Sequence, residues 1–275
     1  MSDPRLALEA IGQLPDAEID IGEAALQLAR IDAPSANWQA ARQHLSELAQ
    51  RAVETALSID DAKLPRRAEA LAALLGGTFD YRGDSETYDD LVNANLIGVI
   101  ERRRGLPVAL GVLWLHAARA AGWECHGVDF PAHFLIALEE GSKQVVLDVF
   151  HGGTVMSAKD LRALLRRIEG PDAELRPGLL KPMNTRRVLL RLQNNIMTRR
   201  LQGGDIEGGL SCTEDMRRIA PDQAELWRQS GVLNQKLHRV AAATSCYGRF
   251  LDLVPEGGAA DAVRAQIAVL KSMLN

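Results

Sequence analysis

His133 and Asp148 are the residues of this chain whose types and placement suit chemistry. They stand in the short, β-prone runs Pro131-Ala132-His133-Phe134-Leu135-Ile136 and Val145-Val146-Leu147-Asp148. On adjacent antiparallel strands the carboxylate would hold the imidazole in one tautomer and the imidazole would act as general base, which is one half of a nucleophilic triad. In papain-like catalysis the other half is a thiolate at the N-terminus of a buried helix, where the dipole lowers its pKa. His151, just beyond the second run, is expected to cap a loop or to line the same cleft. His133, His151 and Asp148 also have the chemistry of metal ligands, but successive strand positions point to opposite faces, so no metal is expected, and no cofactor. The alternative for the pair is structural: a core histidine that ties two strands together through Asp148.

A buried helix and a small sheet must position such a pair. After Gly105-Leu106-Pro107, the residues Val108, Ala109, Leu110, Leu113, Leu115 and Ala117 wrap almost the whole helical period. Such a helix belongs in the middle of a domain. Pro107 suits its first turn, where a missing N–H costs nothing, and Gly122 suits its end. Beyond it, 125–128, 134–138 and 145–149 read as strands, and Glu139-Glu140-Gly141-Ser142-Lys143 joins the last two as a hairpin. One central helix followed by a small antiparallel sheet is an α+β arrangement. Upstream, apolar residues recur at three and four from Glu9 to residue 75, with Pro34-Ser35 opening one helix and Asp60-Asp61 breaking another. The turn-rich stretch from Gly76 to Asp84 connects this helical part to the core, and 91–100 is helical again.

The tail repeats. With Ala224 as position 1 of a 34-residue unit, Trp227 falls at 4, Gly231 at 8, Ala243 at 20, Tyr247 at 24 and Pro255 at 32. There a tetratricopeptide repeat (TPR) needs a bulky knob, a close approach, a small residue, an aromatic plug and a helix stop. One repeat length earlier, Pro221 and Gly209 mark a degenerate unit over 190–222, and the apolar face Val188, Leu189, Leu192 and Ile196 is expected to be buried. Two such units have too little core to stand alone.

Four runs carry a resemblance to a known family: Phe79-Asp80-Tyr81-Arg82-Gly83-Asp84, Ile100-Glu101-Arg102-Arg103-Arg104-Gly105-Leu106-Pro107, Gly127-Val128-Asp129-Phe130-Pro131-Ala132-His133-Phe134-Leu135 and Leu147-Asp148-Val149-Phe150-His151-Gly152-Gly153. Together with Lys181-Pro182-Met183-Asn184 they resemble the bacterial SirB-type family, whose members have a transglutaminase-like core and a TPR-like tail. The likeness implies three parts: a helical part over 1–75, a transglutaminase-like (papain-like) core over 76–180 and a TPR-like tail over 181–275. It also implies that His133 and Asp148 are the family's His and Asp. The nucleophile position, counted back from Gly122, falls on Pro107, where there is no Cys. Ala109 offers no hydroxyl, and Cys125 lies beyond the helix on the first strand.

Arg102, Arg103 and Arg104 end a helix, where cations complement the dipole. The functional alternative for them is an anion or acidic-partner contact at the mouth of the cleft, since the next residues open the central helix. Between Arg166 and Arg200 nine basic residues face three acidic ones, a balance expected of a solvated helical face. Overall, 32 Lys+Arg against 36 Asp+Glu give a net charge of −4, too little bias for a polyanion partner, and aromatics at 4% supply no stacking surface for single strands. Nucleic acid is therefore not expected as a partner. Cys125, Cys212 and Cys246 form no CxxC pair, so neither a thiolate zinc site nor a disulfide framework is expected. With no signal-like start, and with its longest apolar run about half the roughly 20 residues of a membrane span, the chain is expected to be cytoplasmic and off the membrane. The leading functional expectation is a non-catalytic, protein- or peptide-binding or regulatory module, a pseudoenzyme. The alternative is an atypical amide or ester hydrolase, or a peptidase-like enzyme, in which His133 and Asp148 activate water or a substrate group directly.

Overall fold

A computed structural model describes residues 3–59, 63–176 and 178–272. The predicted break at Asp60-Asp61 lies outside them. The chain forms two compact units, Pro15–Leu192 and Met1–Leu14 together with Gln193–Asn275.

In the first unit, α2 (Ile21–Asp32), α3 (Trp38–Ser58) and α4 (Leu64–Ala72) form the helical part, and a π-type turn over Ala73–Thr78 extends α4 into the stretch read as a connection. Next come β1 (Arg82–Gly83), α5 (Leu96–Arg102) and β2 (Arg104–Gly105), with β1 and β2 pairing in parallel. The central helix α6 (Pro107–Ala120) follows. Eleven of its fourteen residues are buried, as the all-round apolar pattern requires. Gly122, at φ +72°, lets the chain turn away after it.

A five-stranded antiparallel sheet is built from β3 (Cys125–Phe130), β4 (His133–Glu140), β5 (Lys143–Asp148), β6 (Thr154–Val155) and β7 (Pro182–Met183), in the order β6-β5-β4-β3-β7. One face meets α6, where a Cβ on Gly111 would lie 2.2 Å from the Phe134 ring. On the other face Val128, Phe130, Leu135, Ala137 and Val146 pack with Leu161, Leu164 and Leu165 of α7 (Ala158–Glu169). A Ser157–Asp160 capping box fixes where α7 starts. The next helix, α8 (Thr185–Gln202), takes its N-terminal N–H groups to a distant acid: Thr185 and Arg186 donate to Asp16 at 2.9 and 2.8 Å. Val188, Leu189 and Leu192 are buried, and Val188 reaches the bare backbone of Gly127 on β3. Ile196 is buried as well.

The second unit holds α1 (Pro4–Gln13), the later part of α8, α9 (Ile206–Ile219), α10 (Ala224–Lys236), α11 (Val240–Leu253) and α12 (Gly258–Ser272). Two differences from the sequence reading stand out: the unit boundary falls inside α8 rather than near 181, and α1 belongs with the tail rather than with the other N-terminal helices. The physical reason for the second is local to α1 and α9. Gly12 carries no side chain where a Cβ would lie 2.0 Å from the Arg218 carbonyl, and Arg5 pairs with the buried Asp215 at 3.1 Å. In α10 and α11, Gly231 makes room for the ring of Tyr247, at 2.5 Å from a hypothetical Cβ. No helix among the described residues is long and apolar enough to cross a membrane.

Candidate functional site

The site grows out of the β4–β5 hairpin. Ile136 pairs with Leu147 in the register, so strand alternation puts His133 and Asp148 on the same face, at one end of the sheet. His133 Nε2 lies 3.2 Å from Asp148 Oδ1, and Asp148 Oδ2 lies 2.9 Å from His151 Nδ1. The backbone N–H of Phe150 also donates to Oδ1, at 3.0 Å. Burial pushes the Asp148 carboxyl up, but the hydrogen bonds from the two histidines outweigh it and the net direction is down. An ionised carboxylate accepts hydrogen bonds and donates none, so a neutral imidazole at either position carries its proton on the nitrogen that faces Asp148 and its lone pair on the outer one, His133 Nδ1 or His151 Nε2. The His133 side chain is 14% exposed and that of His151 60%.

The argument from alternating faces did not apply to His151. It lies beyond β5, in a loop where Gly152 and Gly153 have φ of +66° and +84°, and the turn brings it back to Asp148. A Cβ on Gly76 would lie 2.4 Å from the Gly152 carbonyl, and one on Gly153 would lie 2.2 Å from the Trp114 ring. The loop is thus braced by the π-type turn and by α6. Among the described residues no group of three or more His, Cys, Asp and Glu has the arrangement to hold a metal ion.

The backbone N–H of Gly83 donates to the Phe150 carbonyl at 2.8 Å, and Gly83 pairs with Gly105 two positions before Pro107. The loop after Asp148 is thereby tied, through β1 and β2, to the segment that leads into α6. Pro107 is buried at the first turn of that helix, with no side-chain cap before it. Cys125 is on β3 with its Sγ 3.8 Å from the Leu115 carbonyl, and burial pushes its thiol up to about 11. Cys212 and Cys246 lie on α9 and α11, in the other unit.

The three arginines before α6 make hydrogen bonds within the fold. Arg102 donates to Asp84 Oδ2 at 2.6 Å and to Asn93 Oδ1 at 2.9 Å. Arg103, which takes a left-handed φ of 58° to end α5, donates to His44 Nε2 at 2.5 Å and to the Tyr81 hydroxyl. Arg104 holds the Asp80 carbonyl at 2.7 Å and its carboxylate at 3.1 Å. Burial, then the Arg103 charge, push the His44 pKa down. The basic stretch also pairs internally, with Arg166 on Glu174, Arg176 on Glu169 and Arg187 on Asp129.

Two neighbours of the site escaped sequence reading. Tyr88, within a polar segment, places its ring 6.0 Å from that of Phe150. Arg191, counted among the basic residues of a solvated face, pairs with Asp129 and donates to the His133 carbonyl at 2.8 Å. The signal available for Arg191 was its place beside the buried apolar stripe Val188, Leu189 and Leu192.

A papain-like helix and sheet with a His–Asp pair at the sheet's end define a transglutaminase-like protein. The chain belongs to the Transglutaminase-like superfamily, whose family model matches residues 39–194, and a Tetratricopeptide repeat model matches residues 198–268. Its branch is the SirB-type one: the chain is 23% identical to Protein SirB1 of Salmonella typhimurium over 243 residues, 88% of each chain. It is 29% identical to a UPF0162 protein of Vibrio cholerae over 253 residues, 92% of this chain and 93% of the relative. A UPF0162 protein of Xylella fastidiosa is 29% identical over 211 residues, 76% of this chain and 75% of the relative.

Proposed function

We propose that this protein is a non-catalytic, protein- or peptide-binding member of its superfamily, acting as a regulator in the cytoplasm. The observation that carries the reading is Pro107 at the head of α6: a ring without a thiol or hydroxyl stands where a nucleophile would meet the helix dipole. On the binding side, TPR units generally serve protein–protein contact. The tail unit holds a cavity of about 490 Å³, lined by Val232, Val263 and Tyr247 with Gln235, Arg228 and Lys236. Arg228 is paired with Glu225, whereas Lys236 is exposed and has no ion pair among the described residues. That charge suits an acidic peptide segment with small apolar residues. One observation favours a second reading, hydrolysis of an amide or ester: His133 keeps a lone pair on Nδ1 while Asp148 orients it.

The test has two arms. Purified protein is assayed with amide and ester substrates beside His133→Ala, and the same background rate is expected of both. Turnover that disappears in His133→Ala would overturn the non-catalytic reading. A fluorescein-labelled peptide of alternating glutamate and leucine is titrated against wild type and Lys236→Glu. Saturable binding, weakened at least tenfold by the substitution, is expected; equal affinity for both removes the tail groove as the site.

A further inference from the structure

The turn that presents His133 is tight and strained. Phe130 and His133 are paired in the register, so Pro131 and Ala132 alone make the connection between β3 and β4. Ala132 sits at φ +47°, a left-handed conformation that a residue with a Cβ adopts at a cost. Such a turn persists where its surroundings hold it. The holding groups come from α8: Arg191 pairs with Asp129, donates to the His133 carbonyl at 2.8 Å and lies over the Phe134 ring at 5.6 Å. Arg187, one helical turn earlier, reaches the other Asp129 oxygen at 3.4 Å. One planar guanidinium thus grips Asp129 on the strand before the turn, the carbonyl after it and the ring beyond.

We infer that Arg191 is a positioning residue for His133: from α8 it clamps the Pro131-Ala132 turn through Asp129 and the His133 carbonyl, and so holds the imidazole with Nε2 on Asp148 and Nδ1 turned away from that carboxylate. Asp148 fixes the tautomer; Arg191 fixes the backbone from which the ring projects. A lysine delivers the charge but not the planar fork, so it satisfies one of the two oxygens at a time. The inference goes beyond the functional reading above, since it holds for a binding site and for a catalytic one alike.

Long-range proton–nitrogen correlation spectra of the imidazoles report tautomer and hydrogen bonding residue by residue. In the full-length protein at neutral pH, His133 is expected to show a protonated Nε2 and a bare Nδ1. In Arg191→Met the two His133 nitrogen shifts should converge toward those of a free imidazole, with Arg191→Lys in between, while His44 and His116 keep theirs. A general loss of packing would move all of them. Asp129→Asn, at an exposed residue, repeats the measurement if Arg191→Met does not fold, and should move His133 in the same direction. His133 shifts that are unchanged in the folded variants overturn the inference.

Discussion

The ring of Tyr247 occupies the space that a side chain at residue 231 would need: a Cβ built on Gly231 would lie 2.5 Å from Cε1 of that ring. The ring cannot retreat freely, because its hydroxyl donates to Gln235 Oε1 at 3.1 Å. Gly231→Ala is therefore expected to destabilise the protein by about 1–3 kcal/mol through overpacking. Gly248, on α11, has nothing within 4 Å of its hypothetical Cβ. Gly248→Ala should be neutral or stabilising by up to about 1 kcal/mol, because alanine is the better helix former. Urea unfolding of both variants checks the contrast, and equal losses would remove Tyr247 as its cause.

What could be read in advance was whatever followed from local periodicity. Pro107 and Gly122 bound an all-apolar helix, and Glu139 to Lys143 reads as a turn because Gly141 takes φ +60°. Trp227, Gly231 and Tyr247 fell into register for the same reason. What could not be read was set by partners far along the chain. Asp16 caps α8 from 169 residues away, Arg5 binds Asp215 from 210 away, and Arg191 reaches His133 from 58 away. Nothing in a window of ten or twenty residues marks such pairs. The bond from His151 to Asp148 was not foreseen, because strand alternation was extended past β5 into a glycine loop.

The pair formed by His116 and Asp20 predicts a stability optimum. His116 Nδ1 lies 3.7 Å from Asp20 Oδ1 and its Nε2 donates to the Leu45 carbonyl at 3.0 Å. Burial pushes the His116 pKa down, but Asp20 and the Leu45 carbonyl outweigh it and raise the net value. Asp20 is lowered to about 2, chiefly by the facing His116 imidazole. The raised histidine contributes stability that is full below its unfolded pKa of about 6.5 and is lost as pH rises through the folded value. The depressed carboxyl contributes stability that is present above about 3.9 and is lost as pH falls toward 2. The pair's contribution should therefore be greatest between about pH 4 and 6.5. In His116→Gln the loss of stability above that window should flatten, as followed by thermal unfolding across pH. A slope identical to wild type would show that the pair does not set it.

Asp148 should matter more to folding than His133. The carboxylate is buried and accepts from His133, His151 and the Phe150 N–H, so Asp148→Ala strands three donors at once. A loss of about 2–3 kcal/mol is expected, against about 1 kcal/mol for His133→Ala, which removes one bond. Because the folded carboxyl pKa is depressed, this contribution is present above about pH 4 and fades as acid protonates the group. Denaturant titrations at pH 7 and near pH 3 should show the gap between wild type and Asp148→Ala narrowing in acid.

A thiol placed at the head of α6 tests what Pro107 has removed. In the native chain Cys125 pairs with Leu138, at the other end of β4 from His133, and alkylating all three cysteines should leave any measured activity unchanged. Pro107→Cys puts a thiol at the first turn of a buried helix, where the dipole favours the thiolate. Two effects oppose this: burial raises a thiol's pKa, and losing the ring's fixed φ loosens the turn. If the bare Nδ1 of His133 faces that position, it can take the thiol proton, and the resulting ion pair outweighs both. Thiolate absorbance near 240 nm should then titrate with a new midpoint below the ordinary cysteine value of about 8.5. Adding His133→Ala should return that midpoint to 8.5 or above, since the imidazole that stabilised the thiolate is gone. A midpoint that is normal in Pro107→Cys, or that is lowered equally with and without His133, would mean the pair does not face the helix head. The papain-like reading of the cleft would then fall, whatever its fold.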